Sequence, residues 1–90
     1  MSYFVYLILS KTKKKLISYV GYTNNLQKRI ELHNKGEGAK FTKGRKWKLI
    51  YSKKYNTKRT AMIEEYKLKK NHLLRKNIKL KYKNIFKNKI

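Results

Sequence analysis

Two short apolar runs near the start of the chain constrain its fold more than any other feature. Residues 3–9 read YFVYLIL and residues 16–22 read LISYVGY, with only the polar stretch SKTKKK between them. Both runs are rich in aromatic and β-branched residues, which favour strands. Two such runs around a short charged connector predict a β-hairpin.

The rest of the chain predicts one more strand and three helices. Asparagine or threonine residues suited to N-caps precede the first two helices, and Gly36 follows the end of the first. We expect a helix that ends at about residue 34, a strand over 47–55, a helix over about 58–70 and a third helix over part of 71–90.

The order of these elements predicts an α+β fold in which a three-stranded antiparallel sheet is covered by helices. We expect residues 1–75 to form one domain and residues 76–90 to form a basic C-terminal extension of it. Residues 35–46 contain three of the four glycines with lysine and arginine between them, which is typical of a flexible basic loop.

The charge of the chain indicates its partners. It carries 26 lysine and arginine residues against four acidic ones, a net charge of +22. Such a field attracts polyanions, so the expected partner is the phosphate backbone of a nucleic acid. An anionic membrane surface is the main competitor, but no cleanly amphipathic basic helix favours it. No apolar run approaches the ~18 residues that cross a bilayer, and we expect a cytoplasmic or nucleoid-associated protein.

The acidic residues and cysteines limit the chemistry. The chain has no cysteine and no aspartate, and its four acids are Glu31, Glu37, Glu64 and Glu65. Disulfides, thiolate metal sites and dense carboxylate clusters are therefore excluded. A metal ion would have one carboxylate from the protein and otherwise water and substrate oxygens, as magnesium on a phosphodiester is often held.

Two polar residues fall on the apolar face of the predicted first helix. At about 100° per residue, His33 projects about 20° from Leu26 on the face that also carries Ile30, and Arg29 lies about 60° to one side of Leu26. A half-buried histidine with satisfied hydrogen bonds and an arginine that snorkels from the core edge would explain them separately. Because both share one face at i and i+4, we take them as candidate site residues.

Glu65 breaks the pattern of the second helix in the same way. Ala61, Met62 and Leu68 define the expected apolar stripe, and Glu65 falls inside it. A carboxylate that faces a core must pair with a cation, accept hydrogen bonds or hold a metal. A salt bridge to one of the many lysines and a metal site are both open interpretations.

The hairpin brings two tyrosines together. If its loop is centred on Thr12 and Lys13, Tyr6 stands opposite Tyr19, with the side chains about 5 Å apart on one face. Gly21 lies on the same face, where a missing side chain leaves room for a substrate or another backbone. A cross-strand aromatic pair within the core is the alternative interpretation.

The order of these residues resembles the GIY-YIG nuclease domain, and in particular its small stand-alone branch. The first motif keeps only Tyr6, in FVYLI, and the second begins at Tyr19 in YVGYTNNLQKRIELHN, which also contains Arg29 and His33. Glu65 matches the single glutamate of the following helix. The resemblance spans about residues 3–75.

A further segment of the same branch has a counterpart in the glycine-rich loop. GAKFT at residues 38–42, followed by Arg45, is similar to the GAK-aromatic-T segment of those proteins. Lys40 and Arg45 are the candidate phosphate contacts in this loop.

By this resemblance, the domain would cleave DNA phosphodiesters with one Mg²⁺ or Mn²⁺ ion bound by Glu65. Arg29 would hold the scissile phosphate and stabilise the charge that develops on it. Tyr6 and Tyr19 would position the attacking water, and a tyrosinate or His33 would take its proton.

The sequence therefore predicts a metal-dependent endonuclease that acts on structured or branched DNA, of the kind used in repair or recombination, as a monomer or weak homodimer. The main alternative is a nucleic-acid-binding module on the same fold with little or no catalysis. A third interpretation is a basic protein that binds RNA or ribosomes.

Overall fold

The structure, a computed structural model, describes residues 2–12 and 15–88, with side chains described as far as residue 82. Lys13, at the predicted loop centre, and residues 89 and 90 of the predicted extension lie outside the described residues. Within the described part, the elements are β1 (Tyr3–Lys11), β2 (Leu16–Thr23), α1 (Leu26–Lys35), β3 (Lys48–Tyr55), α2 (Lys58–Lys70) and α3 (His72–Asn88). This order confirms the predicted α+β class.

The three strands of the described residues form one antiparallel sheet in the order β2-β1-β3. Helices cover both faces, so alternate residues of the central strand β1 face two separate apolar clusters. The cluster on the α2 and α3 side contains Val5, Leu7, Val20, Ala61 and Leu68. The cluster on the α1 side contains Tyr6, Ile8 and Trp47. Burial on both faces explains why β1 is continuously apolar instead of alternating.

The register of the hairpin differs from the predicted one by two residues. Tyr6 pairs with Gly21, and Tyr19 pairs with Ile8. The prediction that Tyr6 stands directly opposite Tyr19 is therefore wrong, because Lys11 pairs with Leu16, whereas a loop centred on residues 12 and 13 would pair Lys11 with residue 14. Since the offset is even, both tyrosines still lie on the same face of the sheet.

Local capping explains where the first two helices begin and end. The Asn25 side chain accepts a hydrogen bond from the Lys28 backbone N–H at 3.2 Å and starts α1. Gly36 ends α1 in the left-handed conformation, with φ of 82°. Thr57 caps α2 by accepting from the Thr60 backbone N–H at 3.1 Å. These ends confirm the boundaries expected from the sequence.

The buried face of α2 differs from the predicted stripe at one residue. Ala61 and Leu68 are buried, whereas Met62 is 48% exposed. The assignment of Met62 to the core is wrong, because the face turned to the sheet follows positions 61, 65 and 68, one and two helical turns apart. Glu65 thus lies nearer the middle of the buried face than the sequence indicated.

The last helix continues past the predicted domain core. α3 crosses residues 75 and 76 without a break, and Ile78 packs against the apolar cluster shared with α2. Among the residues that the structure describes, no helix has both the length and the apolar character needed to span a membrane.

Candidate active site

A cleft of about 410 Å³ lies at the β2 edge of the sheet. Four residues singled out from the sequence line it, each from a different element: Tyr6 from β1, Tyr19 from β2, Arg29 from α1 and Glu65 from α2. The rest of the lining consists of Tyr3, Gly21, Tyr22, Thr23, Asn24 and Lys58.

The edge position of β2 explains how helices on opposite faces reach the same cleft. α1 packs on the face that carries Tyr6, and α2 packs on the face that carries Val5. A cation from α1, Arg29, and a carboxylate from α2, Glu65, therefore line the same cleft from the two sides of the sheet.

Gly21 is required by the position of the Tyr6 ring. A Cβ atom at residue 21 would lie 2.6 Å from Cζ of Tyr6 and closer still to the hydroxyl oxygen. The space beside the glycine, which the sequence suggested for a substrate, is thus filled by the phenol itself. The fully buried Tyr6 ring occupies this space because residue 21 has no side chain.

We expect Gly21→Ala to lower the free energy of unfolding by about 1–3 kcal/mol, because the added methyl group overlaps a buried aromatic ring. Urea unfolding followed by far-UV circular dichroism measures the change. An unfolding midpoint equal to that of the wild type would contradict the close approach of Tyr6 to this strand.

His33 lies behind Tyr6, fully buried, and does not line the cleft. Its Nε2 is 2.7 Å from the Tyr6 hydroxyl, and its Nδ1 is 2.9 Å from Oγ1 of Thr42. The Thr42 hydroxyl donates its proton to the carbonyl of Ala39 at 3.0 Å. Thr42 must therefore accept from Nδ1–H, which leaves Nε2 to accept the Tyr6 hydroxyl proton; the network assigns this tautomer.

The charge states of this pair follow from its burial. Burial lowers the pKa of His33 to about 4, and the positive charge of Arg29 adds to the effect. Burial also raises the pKa of Tyr6, although the adjacent Arg29 guanidinium opposes that shift. At neutral pH the imidazole is uncharged and the phenol keeps its proton.

The lowered pKa of His33 predicts a pH-dependent stability. Between about pH 6.5 and pH 4 the unfolded chain binds a proton at this histidine and the folded chain does not, so stability falls as the pH falls. The full effect is about 3 kcal/mol. Urea unfolding at pH 4.5 to 7 should show the slope in the wild type and not in His33→Gln. Equal slopes would refute the assignment, since the exposed His72 is present in both proteins.

Glu65 is largely buried and already paired. Its side chain is 16% exposed, and Oε1 lies 3.1 Å from Nζ of Lys69, one turn along α2. The salt bridge considered from the sequence is thus present, and it coexists with a position on the cleft wall. Within the described residues, no group of three or more His, Cys, Asp or Glu side chains is placed to hold a metal ion.

The two predicted phosphate contacts lie outside the cleft lining. Lys40 and Arg45 belong to the loop between α1 and β3, and the Arg45 guanidinium lies 5.8 Å from the centre of the Phe41 ring. That ring stacks on Tyr19, with centroids 6.1 Å apart and planes at 21°. The loop therefore joins the site through Phe41, a residue that the sequence had marked only as part of a motif.

The chain as a whole matches a known protein family. Residues 2–84 match the family of the GIY-YIG catalytic domain. The chain belongs to the GIY-YIG family. GIY-YIG proteins form a nuclease superfamily, which confirms the resemblance stated from the sequence.

Several small proteins are similar to this GIY-YIG chain. A UPF0213 protein of Staphylococcus aureus is 39% identical over 69 residues, which are 76% of this chain and 80% of that protein. UPF0213 protein YazA of Bacillus subtilis is 53% identical over 53 residues, 58% of this chain and 54% of YazA. A UPF0213 protein of Oceanobacillus iheyensis is 50% identical over 52 residues, 57% of this chain; the matched segment spans 60% of that relative's length.

A solved structure is also similar. The solution NMR structure of a UPF0213 protein of Bacillus halodurans shares 33% sequence identity with this GIY-YIG chain, and the match covers 92% of this chain and 86% of that one, with a TM-score of 0.47.

Sequence reasoning missed some of the residues that line the cleft of this GIY-YIG domain. Lys58 lines it from the first turn of α2. A cation at the N-terminus of a helix is repelled by the positive end of the helix dipole. This unfavourable placement of Lys58 is the feature of the sequence that could have marked it as a site residue. Tyr22 points to the opposite face of β2 from Tyr19, so an argument confined to one face of the sheet could not include it.

Proposed function

We propose that this GIY-YIG domain is a divalent-metal-dependent endonuclease that hydrolyses phosphodiester bonds in structured or branched DNA. The observation that carries the proposal is the convergence of Tyr6, Tyr19, Arg29 and Glu65, from four separate elements, on one cleft. The net charge of +22 supports a polyanionic substrate.

Arg29 is proposed to bind the scissile phosphate. Its Nε is buried and has no hydrogen-bond partner among the described groups. A phosphate oxygen would satisfy this donor, since guanidinium groups bind phosphates through paired N–H donors. The same donors would stabilise the extra negative charge that the phosphate acquires in the transition state.

Tyr6 and His33 are proposed to move the proton of the attacking water. In this scheme Tyr6 accepts a proton from a water held beside Tyr19, while its own hydroxyl proton passes to Nε2 of His33, 2.7 Å away. Because Tyr6 lines the cleft and His33 does not, His33 would act through Tyr6 and not on the water directly. Tyr19 is the alternative acceptor.

The donor set of the cleft fits Mg²⁺ or Mn²⁺. Magnesium is often bound by one or two carboxylates, together with waters and substrate phosphates, and Glu65 supplies one carboxylate at the cleft wall. When bound, the ion would polarise a phosphoryl oxygen. Glu65 would then bind the metal ion in place of the Lys69 ammonium group.

Cleavage of branched, flapped, single-stranded and duplex DNA in Mg²⁺ or Mn²⁺ tests the proposal. One set of catalytic residues per domain predicts nicking of one strand by a monomer. Binding without cutting of any substrate would overturn the enzyme proposal and favour the nucleic-acid-binding module. In either case Lys40 and Arg45 remain the proposed phosphate contacts of the loop.

A further inference from the structure

Phe41 exposes an aromatic ring directly beside the cleft. It is 52% exposed, yet its ring stacks on Tyr19, a residue of the cleft wall. An exposed phenylalanine on a loop loses hydrophobic stabilisation that burial would give. Its location next to a candidate active site therefore indicates a role beyond packing.

The loop holds this ring in a fixed place. On its C-terminal side, Thr42 is fully buried, with its hydroxyl against His33. The Trp47 indole N–H donates to the Thr42 carbonyl at 2.8 Å, and the Trp47 ring lies 6.3 Å from the Phe41 ring. Gly38 is packed so closely under the His33 ring that a Cβ there would lie 2.7 Å from its Cγ. These contacts present Phe41 in a set orientation.

Packing alone gives an incomplete account of Phe41. It could serve only as a lid over Trp47, but about half of the Phe41 side chain remains in water. The exposed apolar residues Met62 and Leu73 also lie in water, and nothing around them indicates an occupant. Phe41 differs because basic side chains and the candidate active site lie beside it, and together they indicate an occupant.

The charges around Phe41 match a nucleotide. Four cations lie in the same loop within five residues of it: Lys40, Lys43, Arg45 and Lys46. Arg45 lies 5.8 Å from the ring centre. At an exposed site a cation–π contact is weaker than the stacking of a nucleobase on an aromatic ring. An incoming base can therefore displace the guanidinium, which is then available for the phosphate of that nucleotide.

We propose that Phe41 is a stacking platform for an unpaired nucleobase next to the phosphate that is cut. A base inside a duplex is stacked on both sides and offers no free face, so the platform would select DNA with an unpaired nucleotide beside the cleft, such as a flap or a single-stranded branch. The inference rests on the proposed function for its location and names the substrate class of that site.

Binding measurements without catalysis test the platform. A flap with 2-aminopurine as its first unpaired nucleotide is titrated with protein in a buffer without divalent metal, and affinity and fluorescence quenching are recorded. The wild type should quench the probe strongly. Phe41→Leu should bind the flap about 5- to 100-fold more weakly and lose the quenching, while its affinity for a fully paired duplex changes less than twofold. Phe41→Trp should restore both signals.

A second exposed aromatic residue gives a matched control. Tyr66 on α2 is 57% exposed, also has a cation over its ring, Lys70 at 4.6 Å, and does not line the cleft. Tyr66→Leu should leave flap affinity and quenching unchanged.

Equal loss of flap and duplex binding in Phe41→Leu, or no loss in either, would overturn the platform. Because these experiments measure binding without metal, a domain that fails to cleave DNA but still quenches the probe would refute the nuclease and keep the platform. Normal cleavage with unchanged flap binding in Phe41→Leu would refute the platform and keep the nuclease.

Discussion

Replacing Glu65 by glutamine is expected to reduce the single-turnover rate of DNA cleavage at least about 100-fold. The substitution preserves the size of the side chain but removes the charge of the carboxylate in the cleft. A metal ion contributes several kcal/mol of charge stabilisation in reactions of this class, and each 1.4 kcal/mol is a factor of ten in rate. The measurement is cleavage of a branched or flapped substrate across a Mg²⁺ titration.

The adjacent glutamate provides the matched control. Glu64 is paired to Lys67 at 3.5 Å, as Glu65 is paired to Lys69, but it does not line the cleft. Glu64→Gln removes the same charge from the same turn of α2, and an exposed pair of this kind contributes little to stability. We expect its cleavage rate to stay within twofold of the wild type.

The two variants distinguish a catalytic role of the carboxylate in the cleft from a general effect of removing one negative charge. If Glu65→Gln and Glu64→Gln cut equally well, the carboxylate in the cleft has no catalytic function. If both lose activity together, the cause is the general field or the stability of α2, and circular dichroism spectra of the two variants would distinguish these explanations.

The sequence predicted this glutamate because a helix has a fixed period. A carboxylate on an apolar stripe is unusual whatever the rest of the fold does, and the same holds for His33 on α1. The helical wheel was less reliable for Met62, because Ala61 and Met62 project about 100° apart and do not both face the sheet. Only packing decides which of them does, and here the sheet selects the Ala61 side.

Other features depend on atoms far apart in the sequence. The register of the hairpin is set by the length of its loop, so a shift of two residues could not be seen in the strand pattern, which repeats every two residues. The stacking of Phe41 on Tyr19 joins a loop to a strand 22 positions earlier. Contacts of this kind are not encoded in a local period, and so the sequence predicted the loop only as basic and flexible.

Replacing Arg29 by alanine is expected to lower the cleavage rate by about 10²- to 10³-fold, the usual loss when one donor to a developing negative charge is removed. Arg29→Lys should recover only part of the rate, because lysine keeps the charge and loses the planar fork that binds two phosphate oxygens. Single-turnover kinetics with saturating DNA separate this effect from weaker binding.

Lys28 supplies the control for the charge itself, because Lys28→Ala removes one cation from an exposed position next to Arg29 on the same helix. On a chain with net charge +22, the loss of either cation alone changes long-range attraction to DNA only slightly. A second readout is independent of activity: Arg29 lowers the pKa of His33, so in Arg29→Ala the imidazole should titrate above its value of about 4 in an NMR titration. Equal cleavage rates in Arg29→Ala and Lys28→Ala, with the His33 titration unmoved, would show that Arg29 acts on neither the phosphate nor the Tyr6–His33 pair.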